Sequence, residues 1–108
     1  MSKQTVIGTY RVRPGREEAF RALLSRHWPT LRGLGLVTGE ASQILRSLED
    51  PPTYVEIFTW EDGGYEAARE HPAVLAIWGP MEGLLERRGG LPAWDFPHYR
   101  RVGPDGAA

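Results

Sequence analysis

The stretch Tyr54-Val55-Glu56-Ile57-Phe58-Thr59-Trp60 constrains the fold most. Its residues favour strands, and in an extended chain Tyr54, Glu56, Phe58 and Trp60 point one way while Val55, Ile57 and Thr59 point the other. Both faces carry apolar groups, which predicts a central strand covered on both sides. A carboxylate, Glu56, sits in the middle of one face. Burial of an unpartnered carboxylate is costly, so Glu56 requires a hydrogen-bond partner, a counter-charge or a raised pKa.

The rest of the chain supplies layers for such a strand. Gln4–Arg13 reads as a first strand, with Val6, Gly8, Tyr10 and Val12 on one face. Gly8 within it marks a close approach or a space. Pro14-Gly15 ends that strand, and Glu17-Glu18 opens a helix whose stripe is Phe20, Leu23, Leu24, His27, Trp28 and Leu31. Pro29 is expected to kink or tighten the helix, and Gly33 and Gly35 to stop it. A weaker, more polar strand follows within Leu36–Leu48, then a turn at Glu49-Asp50-Pro51-Pro52. After Trp60, Asp62 is a candidate cap for a short helix over 63–70. His71-Pro72 breaks it, and Pro72 opens a further helix carrying Val74, Leu75, Ile77, Trp78, Met81, Leu84 and Leu85. Gly79-Pro80 is expected to bend or split this helix before Gly89-Gly90 ends it. Trp94–Val102 reads as a last strand, with Trp94, Phe96, His98 and Arg100 on one face. Pro97 cannot donate to a ladder and places that strand at an edge.

The order strand, helix, strand, strand, broken helix, strand is the split βαβ pattern. It predicts an α+β, ferredoxin-like βαββαβ fold with an antiparallel four-stranded sheet, as one domain over 1–102 followed by a flexible tail over 103–108. With helices on one side only, Ile7, Thr9, Val55, Ile57 and Tyr99 would leave an apolar sheet face open. A second copy is the expected cover, closing a dimeric α+β barrel with C2 symmetry.

The chain holds 108 residues with a net charge of −1, no cysteine and 41% hydrophobic residues. The charge gives no sign of a nucleic-acid or acidic-membrane partner. Without cysteine there is neither disulfide nor thiolate metal site. No apolar run approaches the roughly 20 residues of a membrane span, and the first residues do not read as a signal peptide. The expected location is the cytoplasm.

At three places the chain resembles the dimeric α+β barrel proteins of the antibiotic biosynthesis monooxygenase type. These are Tyr10-Arg11-Val12-Arg13-Pro14-Gly15 entering Glu17-Glu18, His27-Trp28-Pro29 followed by Gly35-Leu36, and Ile57-Phe58-Thr59-Trp60 leading into Ala67-Ala68-Arg69-Glu70-His71-Pro72. The resemblance spans roughly 5–102. It implies a pocket between sheet and helices and chemistry of the cofactor-free oxygenase kind on aromatic or quinol-like molecules, with no bound cofactor. It also includes haem-degrading members, which use an asparagine on the first strand. That position falls on Gly8, which has no donor.

On this reading the sheet wall is Gly8, Tyr10, Glu56, Phe58 and Trp60, and the helices add His27, Trp28, His71 and Trp78. Glu56 and His71 are the candidate catalytic groups, as proton acceptors. Tyr10, His27, Phe58, Trp60 and Trp78 are the candidate substrate-binding residues. An aromatic cluster is also what an ordinary core contains, and a histidine at a helix break also serves as a local hydrogen-bonding group. Glu56 has a bland alternative as well, an ion pair with Arg11, Arg13 or Arg46. His98 is placed towards the subunit interface. The histidine spacings suit no metal site. The alternatives to a monooxygenase-like enzyme are a non-catalytic homodimeric binding or structural module and a haem-binding or haem-degrading protein.

Overall fold

A computed structural model describes residues 3–106. Its elements run β1 (Thr5–Arg11), α1 (Glu17–Gly33), β2 (Gln43–Arg46), β3 (Thr53–Thr59), α2 (Gly64–Ala68), α3 (Pro72–Glu82), β4 (Trp94–Asp95) and β5 (His98–Tyr99). The sheet is antiparallel in the order β2-β3-β1-β4, and β5 also pairs with β1. The architecture is therefore the expected ferredoxin-like α+β fold.

β4 and β5 are two pieces of one edge strand. Thr9 pairs with Asp95 and Thr5 with Tyr99, so the register is unbroken between them. The interruption falls where Pro97 lacks an N–H; it still accepts from the Ile7 amide at 3.1 Å. The strand predicted over Trp94–Val102 is thus shorter but lies at the edge, as its proline requires. The other edge, β2, is exposed along its whole length, which explains its weak alternation.

α1 runs unbroken through Pro29 from the acidic pair Glu17-Glu18, and buries Phe20, Leu24, His27 and Leu31. α3 likewise runs through Gly79-Pro80 without splitting. It stops at Glu82, well before Gly89-Gly90, where the sequence pattern places its end. Leu85 leaves the helix to bridge Val12, and the Leu84 carbonyl accepts from the Arg13 amide. The apolar spacing of Leu84 and Leu85 reflects a chain packed on the end of β1, not a further helical turn. The N-cap of α2 is Gly63, with φ +74°, and not Asp62, and no side chain caps the helix. The expected tail is described to Gly106, whose amide bonds the Gly103 carbonyl at 2.8 Å; Ala107 and Ala108 lie outside the described residues.

The helix-facing side of the sheet holds the core in two apolar halves. One gathers Tyr10, Val12, Phe20, Leu24, Tyr54, Ile77, Met81 and Leu85. The other gathers Val6, Leu31, Val37, Phe58, Trp60, Ala68 and Val74. Trp78 packs against both. Along β3, Glu56 stands between Tyr54 and Phe58; along α1, His27 stands between Leu24 and Leu31. The seam between the halves is therefore polar. On the opposite sheet face Ile7, Val55 and Ile57 are only half-buried, and Leu45 is 57% and Tyr99 49% exposed. Among the described residues no helix is long and apolar enough to cross a membrane.

Candidate functional site

Glu56 lies on the helix-facing side of β3, together with Tyr54 and Phe58, and is fully buried. Its partners are not arginines. Arg11 reaches the Pro92 carbonyl and Asp95, Arg13 the Leu85 carbonyl, and Arg46 Glu17. Instead the Tyr10 hydroxyl donates to Oε1 at 2.7 Å, and Nδ1 of His27 lies 2.8 Å from Oε1 and 3.1 Å from Oε2. Tyr10 is the residue opposite Tyr54 in the ladder and so flanks Glu56 diagonally. His27 comes down from α1 on the stripe that meets the sheet.

The chain of contacts continues to Trp78 of α3, whose indole N–H donates to Nε2 of His27 at 2.9 Å. This bond fixes the tautomer. An indole nitrogen only donates, so Nε2 must accept and the ring hydrogen sits on Nδ1, facing Glu56. Each member of the series Tyr10, Glu56, His27 and Trp78 thus has a defined role as donor or acceptor. Burial, then the negative charge of Glu56 and its hydrogen bond, push the Tyr10 phenol well above its usual pKa. Tyr10 is therefore a permanent donor to the carboxylate.

Beside this series lies a cavity of about 400 Å³. Val6, Phe58 and Trp60 form its floor, and His27 and Tyr65 enter from α1 and α2. α3 supplies Leu75, Trp78, Gly79 and Glu82, and the edge strand supplies Trp94, Phe96 and His98. No lysine or arginine is among these lining residues. Aromatic walls with few convergent polar groups are the usual composition of a small-molecule site. Two wall residues, Trp60 and His98, each carry a buried ring nitrogen without a hydrogen-bond partner. Tyr65 stands between them, its ring 5.6 Å from that of Trp60 and 4.8 Å from that of His98.

Of the residues singled out from the sequence, His27, Phe58, Trp60 and Trp78 line the cavity together. Tyr10 and Glu56 stand behind His27 and reach the cavity through it. His71 stands apart: it is the N-cap of α3, and its Nδ1 accepts from the Ala73 amide at 3.1 Å. That is the local hydrogen-bonding role open to a histidine before a proline. Gly8 does mark a close approach, since a Cβ there would lie 2.9 Å from the Phe96 ring. The sequence reading did not place Trp94, Phe96 and His98 in the site. Their signal was present in the shared face of the last strand, but His98 was assigned to the interface side.

The residues do not suit the haem-degrading pattern. Phe96 occupies the space over Gly8, and the helix histidine His71 is engaged outside the cavity.

The fold is shared with solved structures that include antibiotic biosynthesis monooxygenase-like proteins, the family the sequence resembles. No family profile and no curated protein sequence matches the chain. Among solved structures, a single-site variant of SnoaB, a cofactor-independent oxygenase from Streptomyces nogalater, superposes with a TM-score of 0.72 at 16% identity. The match covers 96% of this chain and 99% of that one. Rv0793 from Mycobacterium tuberculosis gives a TM-score of 0.75 at 19% identity, over 94% and 97% of the two chains. A protein described as a candidate antibiotic biosynthesis monooxygenase from Nitrosomonas europaea gives 0.75 at 16% identity, over 94% and 92%. These likenesses establish the fold.

Proposed function

We propose that the cavity binds a small hydroxylated aromatic molecule and that the protein oxidises it with molecular oxygen, without a bound cofactor. In such a reaction an electron-rich ring carbon bearing hydrogen becomes a carbonyl. One oxygen atom enters the ring and the other leaves as water, so the substrate itself supplies the electrons. The observation that carries this reading is the cavity walled by aromatic rings, with His27 and Glu82 among its few polar groups. The likeness to a cofactor-independent oxygenase fold supports the reaction class. With this reading we place the protein in the cytoplasm as a homodimer, a second copy covering Val55, Ile57 and Leu45.

The test is a panel of naphthols, naphthohydroquinones and anthrones, followed by thermal unfolding and oxygen uptake. A ligand at ten times its Kd stabilises the fold by roughly 1.4 kcal/mol. That corresponds to a melting shift of about 6–11 °C for a domain near this size. Oxygen uptake above the uncatalysed rate, reduced by Trp60→Phe, is the expected result. Shifts without uptake would leave the non-catalytic binding module as the better description. No shift with any member of the panel would remove the ligand-site reading.

A further inference from the structure

The series Tyr10, Glu56, His27 and Trp78 has an asymmetry that a purely structural core network does not need. Three of its members are sealed: Tyr10 is 1%, Glu56 0% and His27 2% exposed. The fourth, Trp78, is half-buried and forms part of the cavity wall. The ring nitrogen of His27 that Trp78 covers is the unprotonated one, Nε2, and His27 itself lines the cavity.

From this we infer that His27 is the general base of the site, that Glu56 positions it, and that the Trp78 indole occupies its accepting nitrogen until a ligand hydroxyl replaces it. The inference rests on the reading of the cavity as a site for hydroxylated aromatic molecules. A carboxylate on Nδ1–H with a free accepting Nε2 is the arrangement by which an acidic partner both orients an imidazole and stabilises its protonated form. Here Glu56 holds Nδ1 through both oxygens, and the Tyr10 hydroxyl fixes the carboxylate from the other side.

The step is a proton transfer. The ligand hydroxyl donates to Nε2, the O–H bond breaks, and its electron pair remains on oxygen as an aryloxide. Nε2 gains the proton, and the imidazolium lies against the Glu56 carboxylate. The Trp78 N–H, displaced from Nε2, is then available to the aryloxide oxygen. A single neutral hydrogen bond is exchanged for two to the aryloxide, both charge-assisted. An aryloxide is the electron-rich form that reaction with oxygen requires, and acid–base assistance of this kind is worth about 10²–10⁴-fold in rate. The other titratable groups facing the cavity are Tyr65 from α2, Glu82 from α3 and His98 from the edge strand. Tyr10 and Glu56 face His27 from the sheet. Any readout must separate His27 from these.

The probe is 7-hydroxycoumarin, whose neutral and ionised forms have distinct absorption bands. On binding to the wild-type protein its ionisation is expected to move at least one pH unit below that of the free dye. Glu56→Gln keeps an acceptor for Tyr10 but removes the charge behind the ring; the expected result is retained binding with most of the shift lost. His71→Gln, outside the cavity, is expected to keep the shift. In a second measurement, on the wild type alone, the ¹⁵N resonance of His27 Nε2 is followed by NMR. It is expected to change from an acceptor to a protonated nitrogen as dye is added, which does not depend on any variant folding. Binding with an unshifted ionisation and an unprotonated Nε2 overturns the role of His27 while leaving the cavity reading intact. A shift that survives Glu56→Gln in folded protein overturns the role of Glu56. Failure of the dye to bind overturns this inference, and the cavity reading falls only if the wider panel also fails.

Discussion

Replacement of Glu56 by leucine tests the buried network most directly. Replacing a complete buried ionic group with apolar residues is often neutral or stabilising, because the desolvation penalty disappears with the charge. Glu56→Leu alone is a different case. It leaves the Tyr10 hydroxyl and Nδ1–H of His27 in place, both buried and both without their acceptor. Each orphaned donor costs about 1–3 kcal/mol, so the pair costs about 2–6 kcal/mol. That is a large part of the roughly 5–15 kcal/mol by which a domain is stable. Urea unfolding at neutral pH is a suitable assay, and a loss of about 3 kcal/mol moves the midpoint by about 1–3 M. The decisive comparison is with Tyr10→Phe. In the wild-type background it removes a bond to a charged group and is expected to destabilise by about 1.5–3 kcal/mol. In the Glu56→Leu background it removes an orphan and is expected to stabilise by about 1–3 kcal/mol. Effects that add within about 0.5 kcal/mol would show that the two side chains are not coupled, and the network argument would fail.

Four further outcomes follow from other parts of the molecule. Hydrogen bonds from Arg46 and then Tyr54 hold the Glu17 carboxyl at about 2, from an ordinary 4.5. Because the folded value is the lower one, the stabilisation is full above the ordinary value and is lost as pH falls from 4.5 towards about 2; the stability gap between wild type and Glu17→Gln, measured by urea unfolding, should close over that window. Gly8→Ala drives a Cβ into the Phe96 ring, and should cost about 1–3 kcal/mol in urea unfolding and change affinity for any cavity ligand, since Phe96 is a wall residue. Ile57→Arg places a charge in the centre of the open sheet face and should leave a folded monomer in sedimentation velocity where the wild type sediments as a dimer; equal sedimentation of the two would refute the proposed assembly. Hemin should give no Soret shift that depends on His71, because that ring is committed to capping α3.

Period-two alternation carries no information about partners, and this separates what was legible in the sequence from what was not. Alternation alone divides β1 and β3 into two faces, setting Tyr54, Glu56 and Phe58 against Val55 and Ile57, but it does not say which face turns to the helices. Pro97 marked the edge because a missing donor has only one tolerable place in a sheet. The partners of Glu56 were not legible, since Tyr10 and His27 lie 46 and 29 residues away in the chain. The end of α3 was misread because Leu84 and Leu85 keep apolar spacing whether they belong to a helix or to a segment packed on a strand. His98 was assigned to the interface although it alternates in step with Trp94 and Phe96. The face was legible in that pattern, but the side of the sheet it covered depended on pairing with β1.

The continuity of α3 through Gly79-Pro80 bears on how a molecule reaches the cavity at all. Pro80 has no N–H to offer the Ala76 carbonyl, and a Cβ at Gly79 would touch nothing within 4 Å. The turn that carries Trp78 therefore lacks one rung of its hydrogen-bond ladder and borders empty space. Segments held by fewer bonds open locally at a fraction of the free energy of global unfolding. Amides around this turn should exchange with deuterium faster than those of β1 and β3, and uniform protection along α3 would argue otherwise. On the proposed function, breathing of this turn offers a route for a ligand, and because Trp78 and Gly79 of the same turn line the cavity, residence time and affinity should change together when it is altered.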